Sequence, residues 1–348
     1  MVKLSIAYWS LKMINTENIP APPALIRTLV AGFDTITNHI SLILFPIGLD
    51  LLIWFIPRLR LAELIERWIG EVVNQSLSVA PDVETAQMLK SAQELWTQVG
   101  ERFNVWVTLR SYPVGIPSLM TSILPQTNPL GSPTEVQITS FAILLGVVVA
   151  LSVVGLIIGT LFYQCVASAV LSEKIKWQRI LTEWPWSSLQ VFLLALVWLG
   201  LMVGISIPAS CVITLGMLGS VAIGQCATRI YAGVLIWVLF PLLFSAHGIF
   251  VNRYKVWPSI KQGIHITRLT LPKTSLFFLT VLLLSQGLGL LWRVPPEGSW
   301  LMILGLAGHA FVTTGLLSAS FIYYRDSDVW IRSMQEQEKR IDRPQVVS

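Results

Sequence analysis

The sequence predicts an all-α fold: a polytopic bundle of six membrane-spanning helices with interfacial elbow helices and an outer two-helix segment. Composition is the first observation behind this prediction, because 54% of the 348 residues are apolar and only 12% are charged. A soluble domain has about 25% charged residues. The second observation is that six windows approach the roughly 20 apolar residues that cross a bilayer as a helix. These windows are residues 35–56, 138–163, 188–210, 230–250, 274–292 and 300–324.

The positions of Lys and Arg predict how the chain is oriented in the cell membrane. Short cytoplasmic loops are enriched in these residues, and the segments that six spans place inside contain most of the 24 basic residues. Both termini are therefore predicted to be cytoplasmic. The predicted order is residues 1–34 as a cytoplasmic tail and elbow helix, 35–56 as the first span, 57–137 as an extracytoplasmic helical segment, 138–324 as spans two to six, and 325–348 as a second cytoplasmic tail.

The uncharged run from Trp184 to Thr228 leaves two interpretations open. It holds either one span followed by a re-entrant or interfacial piece, or two spans. Two spans would place the basic stretch 253–273 outside, which the rule for positive charge disfavours, so six spans are predicted. Cys211 and Cys226 bracket the ambiguous piece, and they either pair as a disulfide or serve as ordinary small apolar residues.

The stretch 253–273 contains basic side chains and no acidic one. Within it, Trp257, Ile260 and Ile264 follow helical spacing, which is typical of a basic amphipathic helix that lies in the interface and attracts anionic lipid. Each cation near the surface contributes about 1 kcal/mol to such attraction. The alternative is that these charges only set the topology. The predicted lipid-contact residues are Lys255, Lys261 and Arg268 here, and Lys174, Lys176 and Arg179 in a similar elbow helix before the third span.

Two further amphipathic regions are predicted nearer the N-terminus. An elbow helix before the first span has an apolar stripe made of Leu25, Ile26, Leu29, Val30 and Phe33. In the outer segment, residues 61–73 and about 83–107 show the apolar period of two helices. Their apolar faces either pack on each other and on the membrane surface, or form a docking or lid element for a protein partner outside.

Three polar side chains within the spans are candidate site residues, because such groups are costly in a bilayer. Asp50 and Gln286 lie roughly 9 Å, and His309 roughly 14 Å, from the outer ends of their spans at about 1.5 Å per residue. Their similar depth predicts a small polar pocket in the outer half of the bundle. The alternative is that Asp50 reaches the outer interface beside Arg58 or Arg60, while His309 bonds to a backbone carbonyl.

Function follows only coarsely from these features. The chain has no HExxH motif, no GxSxG elbow and no Gly-rich phosphate loop, and we predict that it is not an enzyme and uses no cofactor or metal. Its net charge of +5 would suit nucleic acid only on a mostly water-facing surface, so no nucleic-acid partner is predicted. The predicted function is a non-catalytic integral membrane protein that organises lipid or partner proteins. The alternative is a transporter or permease for a small solute, which would use the outer polar pocket.

Two stretches carry a resemblance to a known group of proteins. They are "LLFSAHGIFVNRYKVWPSIKQGIHITRLTLPKTSLFFLTVLLL" and "FVTTGLLSASFIYYRD". The chain resembles six-span bacterial integral membrane proteins of unassigned activity, such as the membrane domain fused to glycerophosphodiester phosphodiesterases. The resemblance implies the six-span fold, but the phosphodiesterase activity is not carried over because this chain lacks that soluble domain. The long segment 57–137 also departs from the short first loop of that group.

Overall fold

The computed structural model describes residues 23–78, 83–172 and 175–341. These residues form an almost entirely helical bundle, which confirms the predicted all-α fold. Short 3₁₀ turns at Ile40–Ile43, Val105–Leu109 and Phe240–Leu242 connect some of the elements. The elements are α1 (Leu25–Asn38), α2 (Leu44–Phe55), β1 (Arg58–Arg60), α3 (Ala62–Ser78), α4 (Val83–Arg102), α5 (Met120–Ile123), β2 (Glu135–Gln137), α6 (Phe141–Leu171), α7 (Trp177–Gly219), α8 (Val221–Leu239), α9 (His247–Val251), α10 (Val256–Leu269), α11 (Leu271–Trp292) and α12 (Met302–Ile341).

Five helical segments are long and apolar enough to cross a membrane: α6, α7, residues 221–251, α11 and the first 36 residues of α12. Helices α1 and α2 meet at an angle of 92°. This bent pair adds a sixth crossing if the two helices together make one span. The sequence predicts an unbroken helix over 35–56, and this detail is wrong. His39 leaves the helical region of backbone space, and the ring of Pro46 would clash with the carbonyl of Leu42 in a continuous helix.

The central helix is α12, which packs against α1, α2, α6, α9, α10 and α11. Its contact with α1 depends on small residues. A Cβ atom at Gly32 of α1 would lie 2.6 Å from Ala319 Cβ and 2.7 Å from the Gly315 carbonyl oxygen. The buried face of α1 is therefore Thr28, Gly32 and Ile36. Part of the predicted apolar stripe faces outward instead, with Ile26 and Val30 exposed, because small residues allow close packing whereas lipid solvates large apolar side chains.

Helices α7 and α8 form a long hairpin that turns at Ser220, whose hydroxyl accepts a hydrogen bond from the Ile223 amide at 3.2 Å. Both helices are continuous on either side of this turn, so residues 211–226 form the turning end of this hairpin. Cys211 and Cys226 are free and exposed rather than paired. The predicted elbow before the third span is not a separate helix but the first turns of α7.

The outer segment contains the two predicted helices, α3 and α4, which pack on each other. Leu64, Ile69 and Val73 are buried, whereas Trp68 and Trp96 remain about half exposed. Strands β1 and β2 pair in parallel next to this hairpin. We call this end of the bundle the loop end. The opposite end holds the C-terminus of α6, the N-terminus of α7, α10 and residues 325–341, and we call it the basic end.

Candidate functional site

Asp50 lies on α2 and is fully buried. Its carboxylate accepts hydrogen bonds from the Ser118 hydroxyl, from the Leu119 amide at 3.1 Å and from the Met120 amide at 3.0 Å. Hydrogen bonds from several donors are what a buried carboxylate requires. Asp50 therefore anchors the chain at the start of α5, a contact that the sequence analysis did not predict.

The segment that Asp50 anchors is irregular and lies beside a membrane-spanning helix. A Cβ at Gly155 of α6 would overlap the Leu109 carbonyl oxygen, and one at Gly159 would lie 3.0 Å from Gly115 Cα. Gly159 is roughly 27 Å along α6 from Phe141 at about 1.5 Å per residue. Residues 105–119 thus pack against the apolar helix α6, and within a bilayer irregular backbone is tolerated only when protein buries it or when it lines a cavity.

Arg110 lies on this irregular segment and is the site residue that sequence reasoning missed. Its Nη1 atom donates to the Thr121 hydroxyl at 3.3 Å. Its charge acts on both Asp50 and His309, two of the predicted pocket residues. In the sequence Arg110 looks like one more charge of the outer segment, and no local pattern indicates that it folds into the bundle.

The other two predicted pocket residues have different surroundings. His309 on α12 is partly buried, and its Nδ1 atom has no hydrogen-bond partner. Gln286 on α11 is exposed. Within the described residues, no hydrogen bond or ion pair joins any two of Asp50, Gln286 and His309. The alternative that placed Asp50 beside Arg58 or Arg60 is not what the structure contains, because both arginines bond to Glu135.

These two arginines belong to a polar cluster at the loop end. Arg60 is 2% exposed and donates from Nη2 to Glu135 at 2.8 Å and to Gln126 at 2.7 Å. Burial alone would raise the pKa of Glu135, but the hydrogen bonds and charges of Arg60 and Arg58 outweigh it and hold the pKa below its ordinary value. For Arg58, burial and the nearby charge of Arg60 lower the pKa. The cluster ties β1 to β2.

A second polar cluster surrounds Asp328 at the basic end. Asp328 is 4% exposed and accepts hydrogen bonds from Gln262 Nε2 at 2.6 Å and Asn252 Nδ2 at 3.2 Å. It also forms an ion pair with Arg332 at 2.7 Å. Because Asn252 precedes α10, Gln262 lies on α10 and Asp328 lies on α12, this cluster fixes α10 against the central helix.

Two of the predicted lipid-contact residues, Lys261 and Arg268, lie on one face of α10, and the third, Lys255, lies just before its first residue. Lys255, Lys261 and Arg268 are exposed, and Lys261 Nζ lies 5.7 Å from the centre of the exposed Trp257 ring. The opposite face is buried in the bundle and consists of Val256, Ser259, Ile260, Gly263, Ile266 and Thr267. This two-sided arrangement agrees with the predicted amphipathic helix, but Trp257 of the predicted apolar stripe is exposed on the basic side rather than buried.

The remaining predicted lipid-contact residues lie near the start of α7. Lys176 and Arg179 are exposed, whereas Lys174 lies outside the described residues. Arg179 Nε and Arg253 Nη2 bond to the same Glu183 oxygen at 2.6 Å and 2.8 Å. Two arginines therefore share one carboxylate here, which leaves the surface between α7 and the chain before α10 positively charged.

Comparison with known proteins gives no match to a protein-family model, to a curated protein or to a solved structure. Within the described ranges, no group of three or more His, Cys, Asp or Glu side chains is placed to hold a metal ion. The apolar helices define the class of this chain as an α-helical integral membrane protein. The resemblance to the membrane domain fused to glycerophosphodiester phosphodiesterases remains a prediction.

Proposed function

We propose that this chain is a non-catalytic protein of the cell membrane that binds and organises anionic lipid through the exposed basic face of α10. The observation that carries the proposal is the exposure of Lys261 and Arg268 on a helix whose other face is docked in the bundle, with Lys255 exposed just before that helix. A helix of this kind places its cations at the level of the lipid headgroups. Trp257, next to Lys261, is an amphipathic residue typical of that level.

The proposal places the basic end and both termini in the cytoplasm, where the bilayer surface is anionic. Accessibility to a membrane-impermeant thiol reagent tests this orientation in intact cells. In a chain whose native cysteines are replaced, a single cysteine at Ser91 on α4 should react from outside, whereas one at Gln335 on α12 should not. Both positions are exposed, so reaction of both, or of Gln335→Cys alone, contradicts the orientation.

Lipid binding is tested with a triple variant, Lys255→Gln with Lys261→Gln and Arg268→Gln. Loss of three cations removes about 3 kcal/mol of attraction to an anionic surface at about 1 kcal/mol each, so less phosphatidylglycerol should co-purify with the protein. The matched control removes three exposed cations at the loop end, by Arg67→Gln, Lys90→Gln and Arg102→Gln. Equal lipid content in the two triple variants contradicts the proposal.

A small-solute permease is the second candidate function, and a specific observation favours it. The first span is broken at His39, and the irregular segment 105–119, which contains Arg110, packs beside α6. Broken helices and buried irregular backbone near the middle of the bilayer are typical of transporter binding sites. Swelling of proteoliposomes in small polar solutes should then be faster than in protein-free vesicles and should slow with Arg110→Gln. The absence of solute-dependent swelling would contradict this candidate.

A protein partner at the outer segment remains a further prediction. The exposed rings of Trp68 and Trp96 on the α3–α4 hairpin are the residues that such a partner would contact first. The ring of Trp68 lies 6.3 Å from that of Phe141 at the start of α6, so contact of this hairpin with the membrane surface is the competing explanation.

A further inference from the structure

The α7–α8 hairpin is longer than the bilayer that it crosses. Arg229 on α8 is exposed and has no ion-pair partner among the described residues. An arginine in hydrocarbon is costly, so Arg229 marks the headgroup level at the loop end. Arg229 and Arg253 are roughly 36 Å apart along the chain at about 1.5 Å per residue, which fits a hydrocarbon core of about 30 Å with its flanking headgroups. Lys273 and Arg293 bracket α11 in the same way, roughly 30 Å apart.

The part of the hairpin past Arg229 therefore extends beyond the bilayer. The hydroxyl oxygens of Ser206 and Tyr231 lie 2.8 Å apart, which places these two residues at the same level, just on the membrane side of Arg229. The turn at Ser220 is roughly 14 Å further along α8 at about 1.5 Å per residue. We call residues 208–228 the tip of the hairpin.

The tip is apolar although it lies outside the hydrocarbon. It contains no charged residue, and the side chains of Val212, Leu215 and Ile223 are all more than half exposed. The hydroxyls of Ser210 and Thr214 donate to backbone carbonyls about one turn earlier in α7 at 2.8 Å, so they satisfy their own helix rather than water. A large apolar patch on a water-facing surface marks a contact with another molecule.

A second apolar surface lies on α4, also at the loop end. A groove of about 660 Å³ is lined there by residues that include Leu95, Trp96, Val99 and Phe103. Leu95 and Trp96 are more than half exposed. This groove belongs to the outer segment, for which a protein partner is predicted, and it lies on the same side of the bilayer as the tip.

The charges beside the two surfaces are complementary. Helices α3 and α4 contain six acidic and three basic residues, so the α3–α4 hairpin is negatively charged. Arg229 is the only charged residue of α8 and lies at the base of the tip. Opposite charges orient two surfaces and exclude wrong partners. A second copy of this chain therefore supplies both the apolar groove and the negative charge that the tip lacks.

We propose that the tip of one copy packs into the α4 groove of a second copy. Each copy has one tip and one groove, so two copies that exchange tips form a closed pair. The proposal names the partner of the outer segment. It uses no residue of α10, so it does not depend on lipid binding.

Leu215→Asp tests the proposal, because it places a carboxylate on the apolar tip. Native mass spectrometry of the full chain in detergent should show a dimer for the wild type. The dissociation constant of the variant should be at least about tenfold higher, since an unpaired carboxylate is costly to bury. Val294→Asp is the matched control at another highly exposed apolar position of the loop end, and it should remain dimeric. A monomeric wild type, or the same loss of dimer in both variants, overturns the proposal.

Cross-linking in intact cells identifies the two surfaces without disrupting either. The exposed native residues Cys211 and Cys226 belong to the tip, and Gln98→Cys adds a cysteine to the groove. A membrane-impermeant bismaleimide should join the tip of one copy to the groove of another and give a covalent dimer. Asn74→Cys, at an exposed position of α3, should give much less of this dimer. Equal yields from the two variants overturn the proposal.

The reactivity of the tip separates this proposal from insertion of the tip into lipid. In the Leu215→Asp variant the tip should be free of its partner, so Cys211 and Cys226 should react with a membrane-impermeant maleimide in intact cells. No reaction would place the tip inside the bilayer and would overturn the proposal. The α10 triple variant should dimerise like the wild type whatever lipid it retains, so the two proposals are tested separately.

Discussion

Helices α6 and α12 differ in apolar character and in burial, and the relation between these two properties is the opposite of that in a soluble protein. Of the five apolar segments, α6 is the most apolar, yet only 11% of its most apolar window is buried. The least apolar is α12, and 56% of its window is buried. Lipid chains are as apolar as leucine, so burial of large apolar side chains gives little advantage in a bilayer. Small residues that allow close contact, and polar residues that find partners, select the central helix instead.

The same rule explains the α7–α8 hairpin. Its large side chains Ile236 and Trp237 are more than two-thirds exposed, and α8 packs mainly on α7. By contrast, Ser318 of α12 is fully buried, and its hydroxyl donates a hydrogen bond to the Thr314 carbonyl oxygen at 3.0 Å. Substitutions in the buried polar and small-residue positions should therefore matter far more than substitutions on the apolar outer helices.

The largest effect is expected from Asp50→Ala. This change leaves the Ser118 hydroxyl and the Leu119 and Met120 amides without their acceptor, and each unpaired buried donor costs about 1–3 kcal/mol. The free energy of unfolding should fall by about 3 kcal/mol or more, measured by thermal unfolding in detergent. Asp34→Ala, at an exposed position on α1, is the control. A similar small loss in both variants would show that the irregular segment does not depend on Asp50.

A second prediction compares a glycine at the contact between α1 and α12 with a glycine of the α7–α8 hairpin. Gly32→Ala forces α1 away from Ala319 and Gly315, and overpacking of this kind costs about 1–3 kcal/mol. Gly204→Ala on α7 meets no atom within 4 Å and should raise stability slightly, because alanine favours the helix by up to about 1 kcal/mol. Melting temperatures that change in the same direction for both variants would contradict the expected difference between the α12 contacts and the α7–α8 hairpin.

A smaller and pH-dependent effect is expected from Glu135→Gln at the loop end. The pKa of Glu135 is lower in the folded protein than its ordinary value of 4.5, so its ion pairs with Arg58 and Arg60 stabilise the fold above that pH. This stabilisation is lost as the pH falls through the lowered pKa. The wild type should melt a few degrees higher than the variant near neutral pH. This difference in melting temperature should shrink as the pH falls below the ordinary pKa of 4.5. A difference that grows in acid would contradict this sign.

The smallest effect is expected from Gln286→Leu. Gln286 is exposed on α11, and a leucine there is well solvated by lipid. The melting temperature should stay the same or rise slightly, and any solute permeation by the protein should not change. A marked loss of stability would place Gln286 in contact with a partner and would revive the predicted pocket with Asp50 and His309.

The sequence by itself determined the membrane class, five of the six apolar windows, the helical α3–α4 hairpin and the basic face of α10. Hydropathy, helical period and charge are properties of neighbouring residues, so a short window contains them. These signals indicate which segments are helices and which end is basic, but they carry no information about the partner of each helix.

Only the tertiary structure decided which residues form sites. The donors to Asp50 lie 68 to 70 positions away in the chain, and Arg110 enters the bundle on a segment whose composition resembles a surface loop. Hydrogen-bond partners and cavities come from distant parts of the chain, and packing of small residues such as Gly32 against Gly315 determines which of those parts meet.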